Sequence, residues 1–96
     1  MFGLSNEIIN KIKNVGIKNN VEIYIFGSRA RGNYKYNSDI DIVIKECIEK
    51  DKEYRILNDI DKIDTEYKID VVFIQNVKNK EFLNSIEKES IKLWKD

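Results

Sequence analysis

Two aspartates separated by one residue, Asp39 and Asp41, lie in the alternating apolar segment 39–44. On a β-strand, residues at this spacing project from the same face, about 6.5–7 Å apart along the backbone. At an effective dielectric near 20, two like charges at this distance repel by roughly 2.5 kcal/mol. A divalent cation would reverse this penalty, and a purely oxygen ligand set suits Mg²⁺ or Mn²⁺ better than zinc. The alternative is an edge strand whose acidic face is simply solvated.

A third acid, Asp70, lies between Ile69 and Val71 in another predicted strand, residues 68–74. A charged residue is unexpected in the middle of a strand. If the two strands are neighbours, Asp70 joins the pair, and three carboxylates could hold two metal ions for an in-line phosphoryl displacement. Asp70 could also accept the proton of an attacking hydroxyl. A solvent-facing aspartate on a half-exposed strand is the simpler alternative.

The segment GSRARG, which begins at Gly27, indicates an anion-binding turn. A glycine at the end of a strand lets the backbone approach a ligand closely, and the N–H groups that open a helical turn favour an anion. Ser28 adds a hydroxyl donor, while Arg29 and Arg31 add positive charge suited to a triphosphate. The segment matches neither the Walker A sequence nor the dinucleotide-binding fingerprint. A plain turn with surface arginines is the alternative.

The composition excludes several classes of chemistry. The chain contains no histidine, so it has no Ser-His-Asp or Cys-His catalysis and no imidazole zinc site. Lysine plus arginine and aspartate plus glutamate both number 17. The resulting zero net charge disfavours a protein that grips a long nucleic acid through its phosphates. Acid–base and metal chemistry must therefore depend on carboxylates.

The length of 96 residues predicts a single domain over residues 1–96. No apolar stretch approaches the roughly 20 residues of a membrane helix, and the N-terminus lacks a signal-peptide pattern. The single cysteine, Cys47, cannot form an internal disulfide, which fits a reducing compartment. We therefore expect a cytoplasmic protein without a membrane partner.

Hydrophobic periodicity predicts an α/β (α+β) domain in which helices cover the aliphatic faces of three strands. The predicted helices are 5–19, 49–63 and 79–89, and the predicted strands are 21–26, 39–44 and 68–74. Gly27 and Gly32 bracket a short turn or single helical turn, and a polar loop follows at 33–38. The C-terminal segment IKLW could continue the last helix or form a short edge strand. The faces opposite the aliphatic ones carry the three acids.

The spacing of these residues resembles that of a known superfamily. Gly27-Ser28, ten intervening residues and Asp39-x-Asp41 are similar to the G-S-x(n)-D-x-D signature of the polymerase-beta-like nucleotidyltransferases. The longer string GSRARGNYKYNSDIDIVI resembles the minimal nucleotidyltransferase (MNT) branch. The resemblance implies a small mixed β-sheet with helices mainly on one face. It also implies that Gly27 and Ser28 bind nucleotide phosphates, that Asp39 and Asp41 ligate Mg²⁺, and that Asp70 is the third catalytic carboxylate and metal ligand.

Three further positions match the family pattern with less defined duties. Arg29 and Arg31 match the basic positions after the glycine-serine pair and are expected at the nucleotide. Ser38 matches the position before the first aspartate and is expected to support the metal loop. Two tyrosines of the loop, Tyr34 and Tyr36, could contact the nucleotide or a partner.

The resemblance also implies an activity and a partner. The expected reaction is transfer of a nucleoside monophosphate, with AMP from ATP as the leading case, to a hydroxyl on a partner protein. Relatives pair with an all-helical HEPN-type toxin or substrate-binding protein encoded nearby, and the chain would then be a protein adenylyltransferase-like antitoxin. One alternative is transfer to a small molecule with a separate helical substrate-binding subunit. Another is a non-catalytic antitoxin that binds its partner by contact. A homo- or hetero-oligomer is possible.

Overall fold

Apolar residues at helical spacing form the long helices of the computed structural model, which describes residues 1–94. The last residues of the predicted domain, Lys95 and Asp96, lie outside the described part. Helix α1 is Asn6–Lys18, and its N-cap Ser5 accepts a hydrogen bond from the Ile8 amide at 3.3 Å. The capping hydroxyl satisfies an amide that has no partner within the helix. The predicted first helix is therefore confirmed.

The remaining helices confirm their predictions to within two residues at each end. Helix α2 is the single turn Ser28–Arg31 between the two glycines. Helix α3 is Lys50–Asp61, and helix α4 is Lys80–Glu89, capped by the Asn79 side chain. Among residues 1–94, none of these helices is long and apolar enough to cross a membrane.

Four strands form a mixed sheet in the order β3-β2-β1-β4. The strands are β1 (Tyr24–Phe26), β2 (Ile40–Ile44), β3 (Ile69–Phe73) and β4 (Ile91–Lys92). β1 pairs antiparallel with both β2 and β4, whereas β2 pairs parallel with β3. The C-terminal IKLW segment therefore forms a short edge strand. Strand β3 lies at the opposite edge of the sheet.

Strand β1 is shorter than the predicted segment 21–26. Tyr24 pairs with Val43, so Val21 and Glu22 would need partners beyond the C-terminal end of β2 at Ile44. The chain instead finds other partners there: the Glu22 amide donates to Glu46 Oε2 at 2.8 Å. The apolar side chains of the segment still pack in the core, so the predicted aliphatic face is confirmed. The predicted length of the strand is wrong, because residues 21–23 do not belong to β1.

The two faces of the sheet are chemically different. On one face, buried isoleucines of β1 and β2 pack against α1 and α3 in the main core, which includes Ile12, Ile25, Ile42 and Ile56. The opposite face carries the acids and, directly beside them, a smaller apolar cluster of Phe26, Val43 and Ile86. The predicted small mixed sheet with helices mainly on one face is confirmed, with α4 as the exception on the acidic side.

A buried polar contact joins α1 to α3. Asn19 Nδ2 donates to Asp59 Oδ2 at 3.0 Å, and Lys18 Nζ lies 3.4 Å from Asp59 Oδ1. The hydrogen bond from Asn19, followed by the Lys18 hydrogen bond and charge, outweighs desolvation and lowers the pKa of Asp59 from its ordinary value of 3.8. A lowered folded-state pKa contributes stability above the unfolded pKa, and this stability is lost as the pH falls through the folded one.

We therefore expect Asp59→Asn to lower the free energy of unfolding by about 1 kcal/mol at pH 7. As the pH falls below about 3.8 the difference from the wild type should shrink, and it should disappear once the pH lies below the lowered folded-state pKa, where both side chains are neutral in the folded protein. Urea denaturation of both proteins from pH 7 to pH 3 measures this difference. Asp64→Asn, at an exposed position in the loop before β3, is the matched control. A difference that stays constant over this pH range would contradict the ionic origin of the contact.

Candidate active site

The parallel pairing of β2 with β3 brings the predicted carboxylates together. Asp41 lies directly opposite Asp70 in the ladder, and Phe26 lies opposite Asp41 on the other side. Residues at matching positions of adjacent strands share one face, so both carboxylates lie on the acidic face about 4.8 Å apart at the backbone. Asp39 precedes β2 by one residue and is exposed. Residues from two separate stretches of sequence therefore meet at one end of the sheet.

Asp41 is the carboxylate whose ionisation is most disfavoured by its surroundings. Desolvation is the largest cause that raises its pKa above 3.8, followed by the negative charges of Asp70 and Asp39. The charges of Arg31 and Arg29 act in the opposite direction without cancelling these effects. Neighbouring negative charges repel one another more strongly where water is partly excluded than in bulk water. The sheet thus stores electrostatic energy that a bound cation would release.

The donor chemistry of this cluster fits a magnesium ion that also binds a nucleotide. Carboxylate oxygens are the ligands that Mg²⁺ prefers, and Mg²⁺ commonly takes one or two carboxylates together with substrate phosphates. Within residues 1–94, no group of three acidic or cysteine side chains is arranged to hold a metal ion by itself.

Gly27 holds the turn against the Asp41 carboxylate. Its backbone has φ 74° and ψ −153°, a region accessible essentially to glycine alone. A Cβ at this position would lie 2.7 Å from Asp41 Oδ2. Ser28 then opens α2, whose first amides have no partner within the helix. The absent side chain allows the backbone of the turn and the Asp41 carboxylate to lie side by side.

Arg29 is buried, with only 2% of its surface exposed. Its guanidinium donates to the carbonyl oxygens of Phe2 at 2.9 Å, Tyr36 at 3.2 Å and Ser38 at 2.8 Å. These bonds occupy the group that was expected at the nucleotide. The structure therefore places Arg29 beneath the loop that precedes Asp39, rather than in the open part of the site.

The other two predicted polar residues lie on either side of the acids. Arg31 is exposed and forms an ion pair with Glu89, at the end of α4, with a distance of 2.9 Å between Nη1 and Oε2. Its charge also acts on Asp41, so it lies close enough to influence an anion there. Ser38 Oγ accepts a hydrogen bond from the Lys35 amide at 2.8 Å, which closes the loop directly before Asp39. Ser38 therefore supports the loop, whereas the service of this loop to a metal or nucleotide stays a prediction.

Sequence reasoning missed a groove along the outer edge of β3. It has a volume of about 770 Å³ and is lined by polar residues that include Asp61 and Asp70, and by apolar side chains of α3 and β3 that include Leu57 and Val71. Lys68 also lines it and lies 3.6 Å from Asp70 Oδ1. The spacing of Lys68 and Asp70, two residues apart on one strand, would have predicted their contact. The groove itself depends on how α3 packs and has no sequence signal.

Comparisons with solved structures show a shared fold. A toxin–antitoxin structure with AMP-PNP has a TM-score of 0.67 at 22% identity, covering 90% of this chain and 72% of that one. The toxin–antitoxin MntA-HepT gives a TM-score of 0.56 at 19% identity, covering 94% and 72%. A putative nucleotidyltransferase from Sulfolobus solfataricus gives 0.52 at 27% identity, covering 93% and 81%. No curated protein shows significant similarity to this sequence.

A family model described as polymerase beta, nucleotidyltransferase matches residues 7–96. The match extends from the first turn of α1 to the C-terminus and includes the glycine-serine turn and all three aspartates. It thus covers the same residues that the fold brings together at one end of the sheet. The chain belongs to the polymerase beta nucleotidyltransferase family.

Proposed function

We propose that this domain transfers AMP from ATP to a hydroxyl group of a partner protein in a Mg²⁺-dependent reaction. The observation that carries the proposal is the register of Asp41 with Asp70, beside Asp39 and against Gly27. One face of the sheet thereby combines a carboxylate cluster with a backbone turn that can approach phosphates. These are the parts that phosphoryl transfer requires, because its catalysis is mainly positioning and charge stabilisation.

Six of the predicted residues have a direct duty in this proposal. The amides of the Gly27–Ser28 turn and the Ser28 hydroxyl bind the triphosphate, and Arg31 supplies an exposed positive charge nearby. Asp39, Asp41 and Asp70 would hold Mg²⁺, which when bound would neutralise charge on the phosphates and the leaving group. Partial burial of Asp41 reduces the screening of these interactions by water.

In this proposal Asp70 has a second role, which is to accept the proton of the acceptor hydroxyl. The acceptor oxygen forms a bond to the α-phosphorus while the bond from this phosphorus to the oxygen bridging to the β-phosphate breaks. Pyrophosphate leaves, and the acceptor hydroxyl loses its proton. Asp70 is the carboxylate that also lines the β3 groove, so it is suited to take this proton. The chain has no histidine that could take it instead.

A protein acceptor is supported by the shape of the domain and by its relatives. The groove beside β3 is open and mixed in character, and it leads to Asp70. The structures that share the fold include toxin–antitoxin complexes, and one of them contains AMP-PNP, an ATP analogue. We propose an all-helical HEPN-type toxin encoded nearby as the acceptor, with this chain as its antitoxin.

The position of the label tests the reaction type. The protein is incubated with Mg²⁺, the product of the neighbouring gene and ATP labelled at either the α- or the γ-phosphate. Nucleotidyl transfer predicts α-label on the partner and γ-label in released pyrophosphate. Label from the γ-position on the partner would indicate a kinase and contradict the proposal. Tight binding of the partner with neither label would indicate neutralisation by contact, and α-label on a small molecule alone would overturn the protein acceptor.

We expect Asp70→Asn to lower the turnover number by about 10²- to 10⁴-fold if Asp70 accepts the proton, because a general base contributes in this range. The dissociation constant for ATP with Mg²⁺ should change much less. Transfer kinetics and titration calorimetry measure the two quantities separately. Asp61→Asn is the matched control, since Asp61 is an exposed acid that lines the same groove. An equal loss in both variants, or a loss confined to ATP affinity, would remove the base role from Asp70.

A further inference from the structure

We propose that Arg29 is a positioning residue, which holds the segments that carry the site's functional groups in their active arrangement before any nucleotide binds. This goes beyond the proposed function, although its kinetic consequence depends on that function. Arg29 directly follows Ser28, but its guanidinium points into the protein and is 2% exposed. A direct contact with phosphate would require it to leave this place.

The hydrogen bonds of Arg29 fix the loop that leads to Asp39. Nε and Nη2 both donate to the Ser38 carbonyl, at 3.2 and 2.8 Å, and Nη2 also reaches the Tyr36 carbonyl at 3.2 Å. Nη1 donates to the Phe2 carbonyl at 2.9 Å, which attaches the N-terminal segment. A buried charge is costly unless it is well hydrogen-bonded. The guanidinium and these carbonyls therefore stabilise one another, and losing either leaves buried groups without partners.

Two aromatic rings enclose the same guanidinium. Its central carbon lies 5.1 Å from the centre of the Tyr34 ring and 4.9 Å from that of Tyr67. Both distances are within the range of cation–π attraction, which is stronger where water is excluded. Tyr34 packs in turn on Gly3, where an added Cβ would lie 2.2 Å from the ring. The N-terminal segment, the loop and the approach to β3 thus all meet at one side chain.

The position of these contacts connects them to the acids. Ser38 directly precedes Asp39, and Tyr67 precedes Asp70 by three residues along the chain. The amide of Ile40 donates to the Lys68 carbonyl at 2.9 Å, which ties the two approaches to each other. Arg29 therefore touches the chain on the N-terminal side of both acidic strands and is itself part of the phosphate turn. A small shift of the Arg29 side chain would move the Gly27–Ser28 turn relative to the three carboxylates.

Lysine cannot replace arginine in this arrangement. Arginine presents five donors in one plane, and here these donors bond carbonyls while the cation also lies over two rings. Lysine keeps the charge but has neither the planar fork nor the stacking faces. Arg29→Lys is consequently a sharp test, because it separates geometry from charge.

Amide hydrogen exchange in the nucleotide-free protein measures the loop directly. For Arg29→Lys we expect exchange at the amides of Lys35, Ser38 and Ile40 to accelerate by about tenfold or more, while α1 and α3 retain wild-type protection. Arg55→Lys is the control, since Arg55 is an exposed arginine on α3. Exchange that is unchanged at the loop would overturn the proposal. This measurement requires neither ATP nor an acceptor, so it stands independently of the proposed function.

Kinetics supply the second readout. Misplacement of a supporting group commonly costs 10- to 100-fold, so we expect Arg29→Lys to lower kcat by about this factor. The KM for ATP with Mg²⁺ should change by less than about threefold. A large rise in KM together with wild-type exchange would instead identify a direct phosphate contact and overturn the positioning role.

A second variant covers the case in which Arg29→Lys does not fold. Tyr67→Leu removes one ring from the guanidinium and leaves the residues proposed to bind the nucleotide and the metal unchanged. It should accelerate amide exchange at the same residues, by a smaller factor than Arg29→Lys does. Wild-type exchange in Tyr67→Leu would show that this ring does not hold the loop and would refute the proposal. Global unfolding of both variants would assign these residues to fold stability alone and would also refute it.

Discussion

Asp41→Asn is expected to reduce transfer of α-label from ATP by about 10²- to 10³-fold or more, while the fold is retained. The substitution removes a charge from the place where the metal and phosphates are proposed to meet, and such charge stabilisation contributes several kcal/mol to catalysis. It also relieves the repulsion that raises the pKa of Asp41. The free energy of unfolding should therefore stay the same or increase. Initial transfer rates and urea denaturation measure the two effects.

The opposite signs of these effects make the prediction specific. A residue that serves only the fold would lose stability and activity together. Asp64→Asn, an exposed acid outside the cluster, should change neither quantity. Wild-type transfer rates in both Asp41→Asn and Asp39→Asn would exclude the carboxylate pair as the metal site.

Gly27→Ala is expected to lower the free energy of unfolding by about 3 kcal/mol and the transfer rate by about 100-fold. The φ and ψ of Gly27 are unfavourable for any residue with a Cβ, which costs 1–3 kcal/mol in general. The new methyl group would also lie 2.7 Å from Asp41 Oδ2 and must displace either the carboxylate or the turn. A displacement of about 1 Å can cost a factor of 100 in rate. Denaturant titration and transfer kinetics measure both losses.

Gly32→Ala provides a matched control at the other end of the same turn. Gly32 has φ 88°, but an added Cβ would meet nothing within 4 Å. We expect it to lose about 1–2 kcal/mol from backbone strain, with little change in transfer rate. The difference between the two alanine variants then measures the contact with Asp41. Equal losses of activity in both would indicate that backbone strain alone matters and that the close approach has no role.

Much of the acidic face could be predicted from the sequence because it depends on strict alternation. Once β2 and β3 are neighbours, the two-residue period fixes the faces on which Asp41 and Asp70 lie. The glycine-serine turn was also predictable, since the two glycines mark its ends. The exact pairing of Asp41 with Asp70 was not, because register depends on how α3 spans the connection between the strands.

Contacts between distant segments account for what the sequence could not predict. Arg29 resembles any other arginine of a basic turn until Phe2 and Tyr67 are brought to it from the N-terminus and from the start of β3. Likewise, the predicted strand at 21–26 was too long because its partner β2 ends at Ile44. The alternation of apolar and polar residues predicts on which face of the sheet a side chain lies. Tertiary packing decides where a strand stops pairing and what surrounds a buried charge.

Under the proposed function, Asp39, Asp41 and Asp70 coordinate a metal ion at the phosphates of a nucleotide that the Gly27–Ser28 turn binds. Crystals grown with Mn²⁺ and AMP-PNP, measured for the anomalous scattering of manganese, locate the ion directly. We predict an anomalous peak among these carboxylates and the nucleotide phosphates, and its loss in Asp41→Asn. A bound nucleotide whose manganese peak lies away from these aspartates would contradict the account.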